Sequence, residues 1–290
     1  MNNLKAHKKH LLPFFPVLLL IASSFQFTAC ERESTSDFVN IAEVASQHIN
    51  ADLDANYFFS ILHKAAYDTA LINSDTSIID SALVSKVIDT ITGQTVYTFN
   101  YPEGTVSPNF QVKSGTFQAF LDKDFTEEGA TFEVLIYEFT INGRTLRGTV
   151  YYTYNGNRKY NLESTIVFSG ENQALITHHG EKEILWTEGY VTPADSDEQK
   201  FSLSGNATSR YVNAYNTEIP LAEIISETDG IWDITFACHK IVKQGKVVIN
   251  TIISGLTETI TGDFQDADLD GCSDKIMLKN PKNFGYPYYF

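Results

Sequence analysis

A mainly β fold of antiparallel, sandwich-like sheets behind an N-terminal helical segment is what this 290-residue sequence predicts. Three observations carry that expectation. The chain holds 20 Phe and 15 Tyr but only 2 Met, and aromatic residues favour the pleated, half-buried surface of a strand. From about residue 90 onward, apolar and polar residues alternate with period two, which places one face of each run inward. Gly-containing turn pairs separate those runs, whereas Phe38 to Asp89 contains neither Gly nor Pro, as helices require.

The first element in the chain reads as a leader. Lys5, Lys8 and Lys9 form a basic start, and Leu11 to Ala29 follow without a charge, the arrangement of a secretory signal peptide. Pro13 and Pro16 interrupt the apolar stretch and the chain turns polar after it, which argues against a spanning helix. The stretch closes on Phe27-Thr28-Ala29-Cys30, which resembles the lipobox of bacterial lipoproteins, with Phe27 where Leu is usual. The resemblance implies that Cys30 is lipidated and becomes the mature N-terminus, so that the membrane partner is held through the lipid anchor. A conventional small-residue cleavage site that precedes a cysteine is the alternative. Glu31-Arg32-Glu33 resembles the surface-export signals of Bacteroidota lipoproteins, which implies the outer membrane. The expected division is residues 1–29 as leader, 30–37 as polar tether, 38–89 as helical segment and 90–290 as the β-rich domain.

Within the helical segment, Leu53, Tyr57, Ile61 and Leu71 fall near helical spacing, with Phe58 and Leu62 widening the apolar face. One helix is expected at about 51–73, a shorter one at about 38–49 and a third from Asp75 through Val87. His48 and His63 lie in these stretches and read as surface or core-edge residues. Beyond them, strand-like runs include Gln94–Asn100, Thr131–Phe139, Gly148–Tyr154, Leu162–Phe168, Lys200–Leu203 and Gly245–Ile253. Asn142-Gly143, Asn155-Gly156, Ser169-Gly170, Asp229-Gly230 and Gln244-Gly245 read as their turns, because Asn-Gly supplies the positive φ of a tight hairpin. About ten to fourteen antiparallel strands follow.

These blocks carry a family resemblance. Ile141 to Gly156, Trp186-Thr-Glu-Gly189, Leu203 to Thr208, Pro220-Leu221, Ala237-Cys238 and Asp270-Gly-Cys272 are similar, in order, to a group of secreted Bacteroidota lipoproteins. Their shared motifs are glycine turns and packing residues, so the resemblance implies architecture and no particular chemistry.

Charge narrows the partners. Lys+Arg 21 against Asp+Glu 36 gives −15, and loss of residues 1–29 removes three lysines and no acid, leaving about −18. Nucleic acid is excluded as a partner, since a chain this acidic repels phosphate backbones. No nucleophile elbow, zinc-binding H-E-x-x-H, phosphate loop or dinucleotide fingerprint occurs, and no catalytic residue is assigned. His178-His179-Gly180-Glu181 could ligate a metal only if Gly180 turned the chain, since neighbours on a strand point apart; a solvated hairpin turn is the plainer reading.

With Cys30 assigned to lipid, Cys238 and Cys272 remain as an even pair in an exported chain, and a disulfide is expected, with two buried free thiols as the alternative. Asp266, Asp268, Asp270, Gly271 and Asp274 match the first nine positions of a calcium loop, but Met277 stands where the bidentate Glu belongs. Calcium is therefore weighed against an acidic hairpin tip. The function expected is a structural or binding role at the cell envelope, with a glycan or an envelope protein as partner. An accessory subunit of an outer-membrane complex and an unrecognised hydrolase are the alternatives.

Overall fold

The computed structural model describes residues 35–108, 110–169, 174–195, 198–213, 216–228, 232–236, 238, 242–253, 256–266 and 271–289. The chain is mainly β and antiparallel, with its helix at the N-terminal side. Ile41–Phe290 forms one compact unit, and among the described residues no helix is long and apolar enough to cross a membrane.

Helix α1 (Thr35–Tyr67) joins the expected 38–49 helix to most of the expected 51–73 helix, because nothing between them interrupts the backbone ladder. It stops at Asp68, which is extended and whose Oδ1 accepts from the Leu71 amide at 2.8 Å, capping the short α2 (Thr69–Asn73). The third expected helix is a correction: Thr76–Ile79 and Ala82–Ile88 are the hairpin strands β1 and β2. Asp80 and Ser81 between them have φ 51° and 67°, so a two-residue positive-φ turn reverses the chain. The β-branched Ile78-Ile79 and Val87-Ile88 pairs pack better on a pleat than on a helix.

From β2 the chain runs as a meander: β3 (Thr95–Val106), β4 (Val112–Leu121), β5 (Thr131–Ile141), β6 (Arg144–Tyr154), β7 (Lys159–Ser169), β8 (Ala174–Glu188), β9 (Lys200–Asn213) and β10 (Asn216–Thr228). It continues through β13 (Lys246–Ile253), β14 (Leu256–Gln265), β15 (Lys275–Lys279) and β16 (Gly285–Tyr289), while β11 (Trp232–Thr235) and β12 (Val242–Gln244) leave the path and β11 pairs with β9. Strands β1 to β10 and β13 to β16 each pair with the next in sequence, β10 pairs with β13 across the β11–β12 excursion, and the hydrogen bonding joins all sixteen into one continuous sheet.

The expected turns are met in part. Asn142-Gly143 is a tight turn with φ 49° and 80°. Asn155-Gly156 opens the turn between β6 and β7 as expected, and the positive φ runs on through three residues, Gly156 at 76°, Asn157 at 51° and Arg158 at 65°. Gln244-Gly245 makes no hairpin; a Cβ on Gly245 would stand 2.6 Å from Trp232 Cδ1, so its glycine permits close packing. Gly170 and Asp229-Gly230 lie outside the described residues. Gly148, φ 137°, lies where a Cβ would strike the Thr165 carbonyl of β7, which is why this motif glycine sits mid-strand.

The sheet curls around the helix. Tyr101 of β3, Phe117 of β4, Phe139 of β5, Tyr152 of β6, Tyr160 of β7, Tyr211 of β9 and Tyr288 of β16 all touch it. Helix residues are therefore buried on every side, from Ala45 and Ile49 to Phe58, Phe59 and Leu62. Phe59 meets Phe125, Tyr152, Tyr160 and Phe201 at ring distances of 5.2–5.7 Å. Each such ring, removed from water, contributes roughly 1.5–3 kcal/mol.

Candidate functional site

Two regions concentrate chemistry-bearing side chains. The first is a polar band inside the core. His48 and Asp52 stand four residues apart on α1, hence on one face, and meet His178 and Lys182 of β8, Ser209 of β9 and Ser226 of β10. Asp52 Oδ2 accepts from Lys182 Nζ at 2.9 Å, and its Oδ1 lies 3.2 Å from His178 Nε2, off the line of a hydrogen bond. The Ser209 hydroxyl lies between two imidazoles, 3.0 Å from His178 Nδ1 and 2.7 Å from His48 Nδ1, and Ser226 lies 2.6 Å from His48 Nε2. Lys182 also sits 4.7 Å above the Trp232 ring.

Burial drives the His48 imidazole down to about 3, with Asp52 opposing. At Asp52 burial pushes the carboxyl up, but Lys182 and His178 outweigh it and hold it below the ordinary carboxylate range. Carboxylate, imidazole and hydroxyl thus follow the order of a nucleophilic triad. However, Ser209 is 3% exposed and His178 0%, so no substrate reaches that hydroxyl. The groups serve each other as hydrogen-bond partners.

Two further buried contacts tie the same helix and hairpin to the sheet. Arg144 Nη2 lies 3.0 Å from Asp54 Oδ2; burial raises the Asp54 carboxyl, with Arg144 opposing. Asp80 Oδ2 accepts from Lys113 Nζ at 2.6 Å, from the Tyr57 hydroxyl at 2.7 Å and from Tyr101 at 3.2 Å.

Several sequence expectations meet their outcome here. His48 and His63 are core residues, not surface ones: over this stretch the helix is wrapped by the curled sheet, and both imidazoles are buried. His63 packs 5.0 Å from Trp186 and 5.2 Å from Phe125, its Nε2 without a hydrogen-bond partner among the described residues. Gly180 makes no turn; β8 passes straight through it, burying His178 and sending the exposed His179 to the opposite face. Cys238 and Cys272 form a disulfide, which ties the residues after β11 to the start of the β15 hairpin. Cys30 lies outside the described residues, as do Asp268 and Asp270. Asp266 Oδ2 accepts from the Gly271 amide at 2.8 Å, and among the described residues no group of three or more His, Cys, Asp or Glu is placed to hold a metal.

The second region is open to solvent. A cleft of about 590 Å³ lies at the C-terminal end of α1, lined by Tyr67, Tyr97 and Phe125, with Lys86, Ile72 and Asp122 to Glu127 around them. Most of its charges are occupied. Lys86 Nζ donates to the Leu71 carbonyl at 2.9 Å. Asp122 accepts from the Thr131 amide at 2.7 Å and from its hydroxyl at 2.8 Å. Lys123 stands 3.7 Å from Glu127. Burial raises the Tyr67 and Tyr97 hydroxyls to about 12, and Asp124 adds to the rise at both. Sequence reasoning missed these residues. Tyr97 lay inside an expected strand, and nothing local marks its hydroxyl as the end that meets a cleft.

No family model, no curated protein and no solved structure matches this chain.

Proposed function

We propose that this chain is a lipid-anchored binding protein of the bacterial cell envelope whose cleft beside Tyr67 and Tyr97 takes a saccharide. The lipobox-like Phe27–Cys30 and the acidic residues after it support the anchor and an outer-membrane site. One observation carries the binding reading: this is an aromatic-floored, solvent-reached concavity with polar groups at its rim. Aromatic faces stack on the C–H faces of sugar rings, while hydroxyls and carboxylates take the sugar hydroxyls.

Full-length protein in detergent micelles should bind envelope-derived oligosaccharides on a glycan array, and Tyr67→Ala should weaken that binding about tenfold. A Cys30→Ser variant should leave the membrane fraction. An empty array, with Cys30→Ser still pelleting after carbonate washing, would sink the whole reading.

A role as accessory subunit of a membrane complex has its own support. Ile78 and Leu83 form a direct cross-strand pair, 76% and 53% exposed, at the β1 edge of the sheet, and an apolar sheet edge of this kind favours a protein contact.

A further inference from the structure

We infer that the end of the curled sheet at which α1 enters is a membrane-contact surface: its exposed Val106, Phe110, Val112 and Leu256 dip into the lipid interface, and the cleft faces away from the bilayer. This rests on the lipid-anchor reading and adds an orientation to it. Successive strands run antiparallel, so their connections alternate between two ends of the sheet. Helix α1 threads from one end to the other. The Tyr211 hydroxyl, near the finish of β9, donates to the Val44 carbonyl at 2.6 Å, whereas Tyr67 lies in the cleft with Tyr97 and the residues after β4.

The two ends differ in charge. Direct strand-to-strand connections at the cleft end (89–94, 122–130, 155–158, 189–199 and 266–274) hold twelve acidic residues and two basic ones. Those at the entry end (80–81, 107–111, 142–143, 170–173, 214–215, 254–255 and 280–284) hold two acidic residues and one basic. One of those acids, Asp80, is paired with Lys113. In a chain of −15 the entry end is nearly bare of charge, so anionic headgroups do not repel it and few ionised groups lose water on contact. Apolar side chains stand at its rim. Phe110 is 82% and Leu256 77% exposed, and the exposed Val106 and Val112 pair directly across the strands that flank Phe110. Exposed aliphatics occur at the cleft end too, Ile91 and Val191 above all, but they stand among the acids.

Chain length favours the same orientation. Cys30 to Thr35 spans at most about 18 Å when extended, and the helical residues from Thr35 to Ile41 add about 9 Å. From Ile41 to Tyr67 the helix is about 40 Å long. An anchor at Cys30 therefore reaches the entry end and falls short of the cleft. A soluble protein is the other occupant for such a rim, and the test separates the two.

Full-length lipidated protein should be reconstituted into vesicles of phosphatidylethanolamine and phosphatidylglycerol that contain acyl-brominated lipid, a contact quencher of tryptophan. Trp186 and Trp232 are buried in the core and supply a constant background. The emission added by Phe110→Trp or Leu256→Trp should fall at least about twofold, since an interfacial ring sits about 5–10 Å below the headgroups, within reach of the bromines. The emission added by Ile91→Trp should not change. Flotation of the unsubstituted chain and of Cys30→Ser reports the anchor separately. Protein that floats with Phe110→Trp and Leu256→Trp unquenched overturns the orientation, leaves the anchor standing and returns the rim to a protein contact. Quenching at Ile91→Trp in place of the other two also overturns it. If Cys30→Ser floats as well as the unsubstituted chain and Phe110→Trp is quenched in that background, the rim holds the bilayer by itself and the anchor reading fails. An unsubstituted chain that does not float overturns both.

Discussion

The sealed band around Asp52 and the open cleft around Tyr97 contain similar chemistry and differ in what is left over. In the band, Asp52, His178, Lys182, His48, Ser209 and Ser226 approach one another within 3.2 Å, and all six are buried. In the cleft, Lys86, Asp122 and Lys123 have partners while the Tyr97 hydroxyl and the Asp124 carboxylate have none among the described residues. A triad-like order of groups is therefore a poor guide to a site. Inside a core, unsatisfied polar groups cost so much that they are normally satisfied internally. A hydrogen-bonding group without a partner persists cheaply only where solvent reaches it, and there a ligand can take the place of water.

The comparison can be broken most directly at Lys182. Lys182→Met leaves Asp52 charged and buried without its cation, and should cost about 3–5 kcal/mol in urea unfolding. A loss under about 1 kcal/mol would mean the band contributes little to cohesion. Cys238→Ser/Cys272→Ser supplies a covalent yardstick: opening a loop of 34 residues of separation should cost about 2–4 kcal/mol. If removing one band lysine costs less than removing this disulfide, the band is the weaker staple.

Acid should expose the band and its neighbour next. His48 and His63 have an ordinary value of 6.5 and are driven by burial to about 3 in the folded chain. The unfolded chain therefore binds protons below pH 6.5 that the folded chain refuses, so stability falls as pH drops from about 6.5 toward 3 and is level above that window. Asp52, held low by Lys182, adds loss in the same direction below the ordinary carboxylate value. His63→Phe should flatten the thermal-melting curve across this window and change stability at neutral pH by less than about 1 kcal/mol, because it removes a buried nitrogen that has no partner among the described residues. A melting temperature that still falls as steeply in that variant would place the titration elsewhere. At the small end of the scale, Asp124→Asn should leave unfolding within about 0.5 kcal/mol, since the side chain is exposed and its carboxylate has no partner among the described residues.

Local pattern carried much of the architecture. Alternation at Thr131–Phe139 and Gly148–Tyr154, with Asn142-Gly143 between strands, follows from pleat geometry and turn chemistry acting over a few residues. The pairing of Cys238 with Cys272 followed from parity once Cys30 was set aside. The same local reading took Asp75–Val87 for a helix, because a run without Gly or Pro also suits one; the Asp80-Ser81 turn became visible only in the fold, where Asp80 reaches Lys113 on β4.

By itself, then, the sequence determined that the chain is strand-rich and antiparallel with a helix ahead of it, since side-chain period and turn residues act on neighbours along the chain. Only the tertiary structure decided that the helix is enclosed on every side from Ala45 to Leu62. Enclosure turns His48 and His63, read as surface or core-edge residues, and the charged Asp52 into core groups. It also brings Tyr67, Tyr97 and Asp124 to one cleft from three separate elements. Sheet curvature is a sum over many strands, and no window of neighbouring residues contains it.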